Sequence, residues 1–128
     1  MLTPHDGEFA RLTGAPPGAD RLAAARTLAI NSGAVVLLKG PATVVADPSG
    51  SVLLATAGDA RLATAGTGDV LAGIVGAFLA ARLPVLRAAA LAAHVHGRAA
   101  GRGPKVGLLA GDLPDLVPGV LCPPSSEA

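Results

Sequence analysis

Residues 65–73 read Ala-Gly-Thr-Gly-Asp-Val-Leu-Ala-Gly, and this stretch decides the fold. Its glycines lead into a helix that we expect to begin near Asp69 and to occupy residues 70–82. The first turn of a helix has free backbone N–H groups and carries the positive end of the helix dipole. Because Gly66 and Gly68 allow a ligand to approach the backbone closely, the stretch predicts a pocket for an anion such as phosphate.

Asp69 is the residue of this loop that anion binding does not explain. A carboxylate at the same helix start would compete with a bound phosphate, so we expect it to face a hydroxyl group or a proton that is to be moved. The alternative is that Asp69 only caps the helix and the glycines form a turn; spacing alone favours neither interpretation. The loop is not a Walker A loop, because no Gly-Lys-Ser/Thr follows at the required spacing.

Two further segments contain side chains suited to ligand binding. Lys39 and Gly40 follow residues 34–38, an apolar run typical of a central parallel strand, and open α/β sheets bind ligands at such strand ends. His5 lies in the segment Thr-Pro-His-Asp-Gly-Glu and has an imidazole suited to ligand binding or proton transfer. Taken singly, each is better explained without a ligand, Lys39 as a solvated lysine and His5 as part of a turn before a capped helix.

The remaining pattern predicts an α/β fold. We expect helices at residues 5–14, 21–31, 70–82, 85–100 and about 108–117, and strands at residues 34–38, 43–46 and 52–55. Residues 47–50, Asp-Pro-Ser-Gly, predict the turn of a hairpin between the last two strands. The helix at 70–82 is apolar nearly all round, which is typical of a buried helix. We expect residues 119–128 to form a disordered tail.

Composition excludes several classes of protein. The chain has 128 residues, 51% of them hydrophobic and 15% charged, which predicts one globular domain. The uncharged run at 70–81 is shorter than the roughly 20 residues of a membrane span. With a net charge of +1, no basic block, no Trp and no Tyr, we expect neither a nucleic acid nor a membrane as partner. Cys122 stands alone, and His94 and His96 point in different directions on a helix, so we expect no disulfide, no metal ligands and a cytoplasmic location.

Five segments, in this order and spacing, resemble one family. They are TPHDGEFARL, VVLLKGPATVVADPSG, ATAGTGDVLAGIVGAFLA, HVHG and GLLAGDLPDLVP. The chain is similar to the ADP-dependent NAD(P)H-hydrate dehydratases, and the resemblance covers residues 2–118. It implies a ribokinase-like three-layer α/β/α fold with a partly parallel sheet and a β-hairpin. We expect residues 1–118 to form the C-terminal part of such a domain.

The resemblance also implies an activity and a set of site residues. The activity is removal of water from the S epimer of hydrated NADH or NADPH, with ADP as co-substrate and Mg²⁺ screening the phosphates without a recognisable dedicated ligand. The nucleotide site is then lined by Lys39, Gly40, Pro41, Ala42, Thr43 and Gly68. His5 and Asp69 contact the hydrated dinucleotide, and Asp69 is the general base. The backbone N–H groups of Gly66, Thr67 and Gly68 form the anion hole.

The chain departs from the family pattern at two places in its sequence and in its length. The family usually has Pro at the position of Asp6 and an Asn-Pro-Gly-like stretch at residues 58–61. A complete domain has a further half before Thr-Pro-His, so we expect this chain to be inactive alone. We expect partners in a missing N-terminal half or an epimerase domain, together with exposed apolar surface and a homo-oligomer. The alternatives are a kinase of the same fold acting on a hydroxymethylpyrimidine or sugar, and a non-catalytic nucleotide-binding half-domain.

Overall fold

The helices and strands follow one another in the predicted order in the computed structural model, which describes residues 1–122. The helices are α1 (Asp6–Thr13), α2 (Arg21–Ser32), α3 (Thr67–Ala80), α4 (Val85–Arg102) and α5 (Leu113–Leu121). The strands are β1 (Val36–Leu38), β2 (Thr43–Ala46) and β3 (Val52–Ala55), and short 3-10 helices occupy Ala60–Ala63 and Ala110–Asp112. The chain is therefore an α/β protein.

Local signals explain most helix ends. Asp20 caps α2 by accepting a hydrogen bond of 2.9 Å from the Ala23 N–H, and Gly33 ends this helix with a φ of 64°. Helix α3 begins two residues before the predicted Asp69, because Gly66 takes a φ of 88° and acts as the N-cap residue. A left-handed glycine can turn the chain into a helix without a side-chain cap.

The sheet is mainly antiparallel. Strand β2 lies in the middle, and Val45 stands opposite Leu37 of β1 and Leu53 of β3. Parallel pairing is confined to the N-terminal segment, where Leu2 forms a bridge to Val36. The prediction that residues 34–38 form a central parallel strand is thus correct only on the side of residues 2–4. The short turn at residues 47–50 returns the chain at once, which makes the β2–β3 pairing antiparallel.

Helices cover both faces of the sheet, because alternate residues of a strand point to opposite sides. On one face Val36, Leu38 and Val44 pack against α1 and α2. On the other face Leu37 and Val45 pack against α3 and α4. The helices contribute Phe9, Ala25, Leu28 and Ala29 to the first core, and Leu71, Val75, Ala89, Ala92 and Ala93 to the second. The chain thus has the expected three layers, α/β/α.

The prediction that the apolar helix at 70–82 is buried on all sides was wrong for the described part of the chain. Only Thr67, Leu71 and Val75 of α3 are buried. A stripe of small residues on the other side of the helix is exposed: Ala72, Gly73, Gly76, Ala77 and Ala80. The sheet and α4 reach one side of α3 only, and within residues 1–122 the stripe stays in contact with solvent. The expectation of exposed apolar surface is confirmed at this stripe.

Helix α5 extends beyond the boundary that the sequence predicts at residue 118. Pro118 has no N–H to donate, but its carbonyl accepts a hydrogen bond of 2.9 Å from the Cys122 N–H, so the helix continues to Leu121. The first residues of the expected tail, 119–121, are therefore helical. Residues 123–128 lie outside the described residues. No helix within residues 1–122 combines the length and apolarity needed to cross a membrane.

Candidate functional site

A cleft of about 940 Å³ opens where the loops before α1, after β1 and before α3 meet. The three segments that the sequence singles out are therefore neighbours in the fold. Most of the expected site residues line the cleft: His5, Lys39, Gly40, Pro41, Thr43, Gly66, Thr67, Gly68 and Asp69. Ala42, which is half-buried and directly precedes β2, does not line it. Concave sites of this size are large enough for a nucleotide.

The N-terminus of α3 forms one wall of the cleft. The Thr67 hydroxyl donates to the carbonyls of Leu62 (2.7 Å) and Thr64 (2.9 Å), so this buried side chain anchors the loop. The Thr67 N–H reaches the Thr64 carbonyl at 3.4 Å, whereas the N–H groups of Gly66 and Gly68 have no acceptor among residues 1–122. These glycine N–H groups at the positive end of a helix are suited to bind an anion.

Asp69 lies in the first turn of α3 and lines the cleft with an exposed side chain. The interpretation of Asp69 as a simple helix cap is wrong, since Gly66 is the N-cap and no side-chain cap bond is present. Among residues 1–122 the Asp69 carboxylate forms neither a hydrogen bond nor an ion pair. It is therefore available to accept a proton from a bound ligand.

Lys39 connects the loop after β1 with the start of α3. A β-carbon placed on Gly68 would lie 3.5 Å from the Lys39 Nζ atom, so the ammonium group stands beside this glycine. On its other side Nζ lies 3.4 Å from Glu8 Oε2. The interpretation of Lys39 as a lysine reaching into solvent was wrong, since its side chain is only 28% exposed. A cation next to free helix N–H groups strengthens the anion pocket.

His5 caps α1. Its Nδ1 atom accepts hydrogen bonds from the N–H groups of Gly7 (3.0 Å) and Glu8 (3.2 Å), and Glu8 Oε2 accepts one of 2.8 Å from the His5 N–H. The capped-helix interpretation of this segment is therefore confirmed. In the neutral ring the proton is on Nε2, because Nδ1 is an acceptor. His5 also lines the cleft, and its Nε2 atom lies 3.6 Å from Glu8 Oε2.

Arg21 is a positioning residue that the sequence does not indicate. Its guanidinium donates to the Lys39 carbonyl (2.7 Å) and forms an ion pair with Asp6 (2.9 Å). It thereby ties the Lys39 loop to the start of α1. A β-carbon on Gly40 would lie 2.5 Å from the Arg21 guanidinium, so the absence of a side chain at Gly40 leaves room for the guanidinium. Only a tertiary contact defines this role, and no local motif signals it.

The loop at residues 58–61, where the chain departs from the family pattern, has its own ion pair. Asp59 accepts hydrogen bonds from the Arg61 backbone and side chain, both at 2.9 Å, and Arg61 reaches the Gly103 carbonyl at 3.1 Å. The hydrogen bonds from Arg61 lower the pKa of Asp59 to about 2. The loop packs against α4 at Gly97, where a β-carbon would lie 2.6 Å from the Ala57 carbonyl carbon.

His96 forms part of the inner wall of the cleft, which sequence analysis did not anticipate. The pattern predicts that one of His94 and His96 faces the core and the other the surface, and this is confirmed: His96 is 5% exposed and His94 is exposed. Burial lowers the pKa of the His96 imidazole, and a hydrogen bond with the Thr67 backbone acts in the opposite direction.

Asp112 lies outside the cleft and has a local role. It caps the short 3-10 helix at Ala110–Asp112 by accepting a hydrogen bond of 2.8 Å from the Leu109 N–H. Within residues 1–122 no three His, Cys, Asp or Glu side chains cluster as metal ligands. The Asp69 carboxylate, which lines the cleft, is a ligand of the type that Mg²⁺ binds, and Mg²⁺ needs only one or two carboxylates from the protein.

Solved structures share this fold and define its class. A ribokinase-like superfamily protein of Enterococcus faecalis superposes with a TM-score of 0.74 at 27% identity, over 94% of this chain and 43% of that one. The ADP/ATP-dependent NAD(P)H-hydrate dehydratase of Bacillus subtilis, co-crystallised with ATP and Mg²⁺, superposes with a TM-score of 0.87 at 34% identity, over 94% of this chain and 46% of that one. The chain has a ribokinase-like α/β/α fold.

Sequence comparison narrows the class to one family. Residues 1–117 match the carbohydrate-kinase-like family described as NAD(P)H-hydrate dehydratase. The bifunctional NAD(P)H-hydrate repair enzyme Nnr of Mycobacterium leprae is 62% identical over 100 residues, which are 78% of this chain and 21% of that protein. The ADP-dependent (S)-NAD(P)H-hydrate dehydratase of Neisseria meningitidis is 47% identical over 121 residues, which are 88% of this chain and 41% of that protein. The chain belongs to the NAD(P)H-hydrate dehydratase family.

The chain spans less than half the length of each of these relatives. The matched part nevertheless contains the whole cleft wall described above, from His5 to His96.

Proposed function

We propose that this chain supplies the nucleotide-binding and catalytic half of an enzyme that dehydrates the S epimer of hydrated NADH or NADPH, with ADP as co-substrate. One observation carries the proposal: the Lys39 ammonium, the free N–H of Gly68 and the unpartnered carboxylate of Asp69 meet at one helix start. The first two groups bind phosphate, and the third accepts a proton. The names of the Neisseria and Bacillus relatives support ADP and the hydrate as ligands.

The proposed reaction needs a phosphoryl transfer because hydroxide is a poor leaving group. Asp69 takes the proton of the hydrate hydroxyl, whose oxygen attacks the terminal phosphorus of ADP while the bond to the leaving AMP breaks. The N–H groups of Gly66, Thr67 and Gly68 stabilise the charge on the transferred phosphoryl group. The ring nitrogen then expels inorganic phosphate, a ring proton is lost, and the nicotinamide double bond returns.

The two ligands lie next to each other in the cleft in this proposal, since Lys39 Nζ and His5 Nε2 lie 3.4 Å and 3.6 Å from the same Glu8 oxygen. Lys39, Gly40, Pro41 and Thr43 bind ADP, and Ala42 connects Pro41 with Thr43 without lining the cleft. His5 donates from Nε2 to the hydrated dinucleotide, on the same side as Asp69. A Mg²⁺ ion, when bound, would neutralise phosphate charge, and the Asp69 carboxylate, which lines the cleft, would be suited to hold it.

The partners follow from the share of the relatives that the chain spans. A second polypeptide segment that covers α3 would complete the hydrate pocket, and the word bifunctional in the name of the Mycobacterium relative supports an additional epimerase domain. The exposed stripe on α3 supports self-association into a homo-oligomer. A single cysteine and a nucleotide substrate support a cytoplasmic location.

A chimera tests the proposed function. The segment of the Neisseria dehydratase that matches this chain is replaced by residues 1–117, and the conversion of hydrated NADH to NADH is followed with ADP present. We expect turnover in the chimera and a loss of about 10²–10⁴-fold in kcat when Asp69→Asn removes the general base. A folded chimera that binds ADP without turnover, or an Asp69→Asn chimera with full turnover, would contradict the proposal.

A further inference from the structure

The buried imidazole of His96 has an unsatisfied nitrogen. Its side chain is 5% exposed, and its Nε2 atom has no hydrogen-bond partner among residues 1–122. Leaving a buried polar atom without a partner destabilises a folded protein, and such atoms are rare in native structures. Neither the anion pocket nor the proposed proton transfer uses His96. The nitrogen therefore requires a partner that the described chain does not supply.

His96 is one of the residues that line a small cavity of about 70 Å³. The cavity shares Gly40, Pro41, Thr43 and His96 with the large cleft, so it is a side branch of that cleft. Its other walls are mostly apolar, formed by residues such as Leu62 and Leu71. A volume of this size exceeds the roughly 10–15 Å³ that one water molecule needs.

The chemistry of the branch favours a hydrogen-bond donor as its occupant. Nε2 has no hydrogen-bond partner among residues 1–122, and we place the proton of the neutral ring on Nδ1. Burial lowers the pKa of His96, so the neutral form prevails at pH 7 and Nε2 presents a lone pair. Asp59, the other ionisable group of the branch, also offers only acceptors.

The position of the branch indicates which ligand enters it. The branch is lined by Gly40, Pro41 and Thr43, three of the expected nucleotide-binding residues, and by neither His5 nor Asp69. We infer that His96 Nε2 accepts a hydrogen bond from a neutral N–H or O–H group on the nucleoside part of a bound nucleoside diphosphate. The inference rests on the proposed function for the identity of the nucleotide. The donor is either the amino group of adenine or the 2′-hydroxyl of the ribose.

Binding to matched variants and nucleotides tests this role. ADP, inosine diphosphate and 2′-deoxy-ADP are titrated into the 128-residue protein and into His96→Phe, His96→Gln and His94→Phe. We expect His96→Phe to weaken ADP binding about tenfold, the typical effect of one lost hydrogen bond to a buried acceptor. The nucleotide that lacks the relevant donor should bind His96→Phe and the unmodified protein equally, which identifies the amino group or the hydroxyl. The amide of His96→Gln should restore part of the affinity, and the exposed His94 variant should bind like the unmodified protein.

Two outcomes of the titrations overturn the inference. An equal loss for all three nucleotides would mean that His96 only supports the fold. Unchanged ADP binding in His96→Phe would mean that water alone satisfies Nε2. The chimera assay reports separately on the proposed function. If the chimera shows no turnover but His96→Phe weakens ADP binding as expected, only the dehydratase proposal is contradicted. If the chimera turns over but His96→Phe binds all three nucleotides like the unmodified protein, only the role of His96 is contradicted. If the unmodified protein fails to bind ADP, the His96 inference is overturned, and the chimera assay alone decides the dehydratase proposal.

A measurement without any variant covers the case in which His96→Phe fails to fold. In the protein labelled with ¹⁵N-histidine, we expect the Nε2 signal of His96 to be that of an unprotonated nitrogen. Saturation with ADP should shift it in the direction of an accepted hydrogen bond and leave His94 unchanged. A protonated Nε2 in the free protein, or no shift on saturation, overturns the inference.

Discussion

At the scale of single residues, the cleft places opposite charges on either side of one glycine. Lys39 lies beside Gly68, while Asp69 follows Gly68 on the same turn of α3. A phosphate at this helix end is attracted by the ammonium and by the helix dipole, and it is repelled by the carboxylate. The carboxylate therefore disfavours phosphate binding, and a role in proton transfer explains its presence at this position.

Removal of the Lys39 charge should weaken nucleotide binding more than it weakens the fold. We expect Lys39→Met to bind ADP about 10–100-fold more weakly, the effect of one charge-assisted hydrogen bond, and to depend less on salt. Its ion pair with Glu8 is partly exposed and contributes little to stability. Calorimetric titrations with ADP at two salt concentrations measure both effects. Lys105→Met, in an exposed loop, is the matched control, and an equal effect of the two substitutions would contradict the role of Lys39.

The ion pair in the 58–61 loop predicts an acid-sensitive contribution to stability. The pKa of Asp59 is lowered from 3.8 to about 2 by the hydrogen bonds from Arg61. The contribution of a carboxylate with a lowered pKa is present above its unfolded value and disappears as the pH falls through its folded value. We expect Asp59→Asn to lower the melting temperature at pH 6 and to have little effect at pH 2. A difference that grows as the pH falls would contradict the pairing.

At the scale of helices and strands, glycines set how closely the elements approach. Gly97 lets the loop at Ala57 and Gly58 lie directly on α4, with His96 next to it in the chain. Helix α4 therefore positions both His96, in the inner wall of the cleft, and the loop at Ala57 and Gly58 that borders the cleft. A change in this contact should move the nucleotide-binding wall without touching a ligand.

Gly97→Ala tests this contact. Its β-carbon would lie 2.6 Å from backbone atoms of Ala57 and Gly58, so the loop has to shift. We expect a loss of about 1–3 kcal/mol in stability, as for other overpacked sites, together with weaker ADP binding. Gly101→Ala in the same helix is the control, because a β-carbon there meets no atom within 4 Å and should stabilise the helix by about 0.5–1 kcal/mol. Equal melting temperatures for the two variants would contradict the close packing at Gly97.

Sequence reasoning succeeded where the signal is local and failed where it depends on distant neighbours. Asp20, Gly33 and the hairpin turn at 47–50 act within a few residues, and the elements they bound are confirmed. The antiparallel pairing of β1 with β2 depends on a partner strand, and apolar composition does not reveal its direction. Arg21 and His96 likewise acquire their roles from residues far away in the chain.

At the scale of the whole molecule, the exposed side of α3 is a stripe of small apolar residues in contact with solvent. Its small apolar residues have the composition of an interior, because small side chains let another element approach closely. The chain spans less than half of the length of each named relative. Contiguous apolar surface of this kind favours association.

Charge on this stripe should therefore change the state of association. We expect the unmodified chain to form a homo-oligomer at high concentration and the double variant Ala72→Glu, Ala77→Lys to be monomeric. Size-exclusion chromatography with light scattering measures the mass of each. Ala23→Glu, on the exposed side of α2, is the control and should associate like the unmodified chain. A monodisperse monomer of the unmodified chain would contradict the expectation.

The parallel pairing of residues 2–4 with β1 has a consequence for local unfolding. Three backbone hydrogen bonds form this seam: Leu2 N–H to Val35, Leu37 N–H to Leu2, and Lys39 N–H to Pro4. A segment held by so few bonds opens more readily than the core. Each opening separates the His5 side of the cleft from the Lys39 side, so ligand binding and closure of the seam favour one another. We therefore expect a ligand in the cleft to slow the exchange of the amide hydrogens of Leu37 and Lys39 with water.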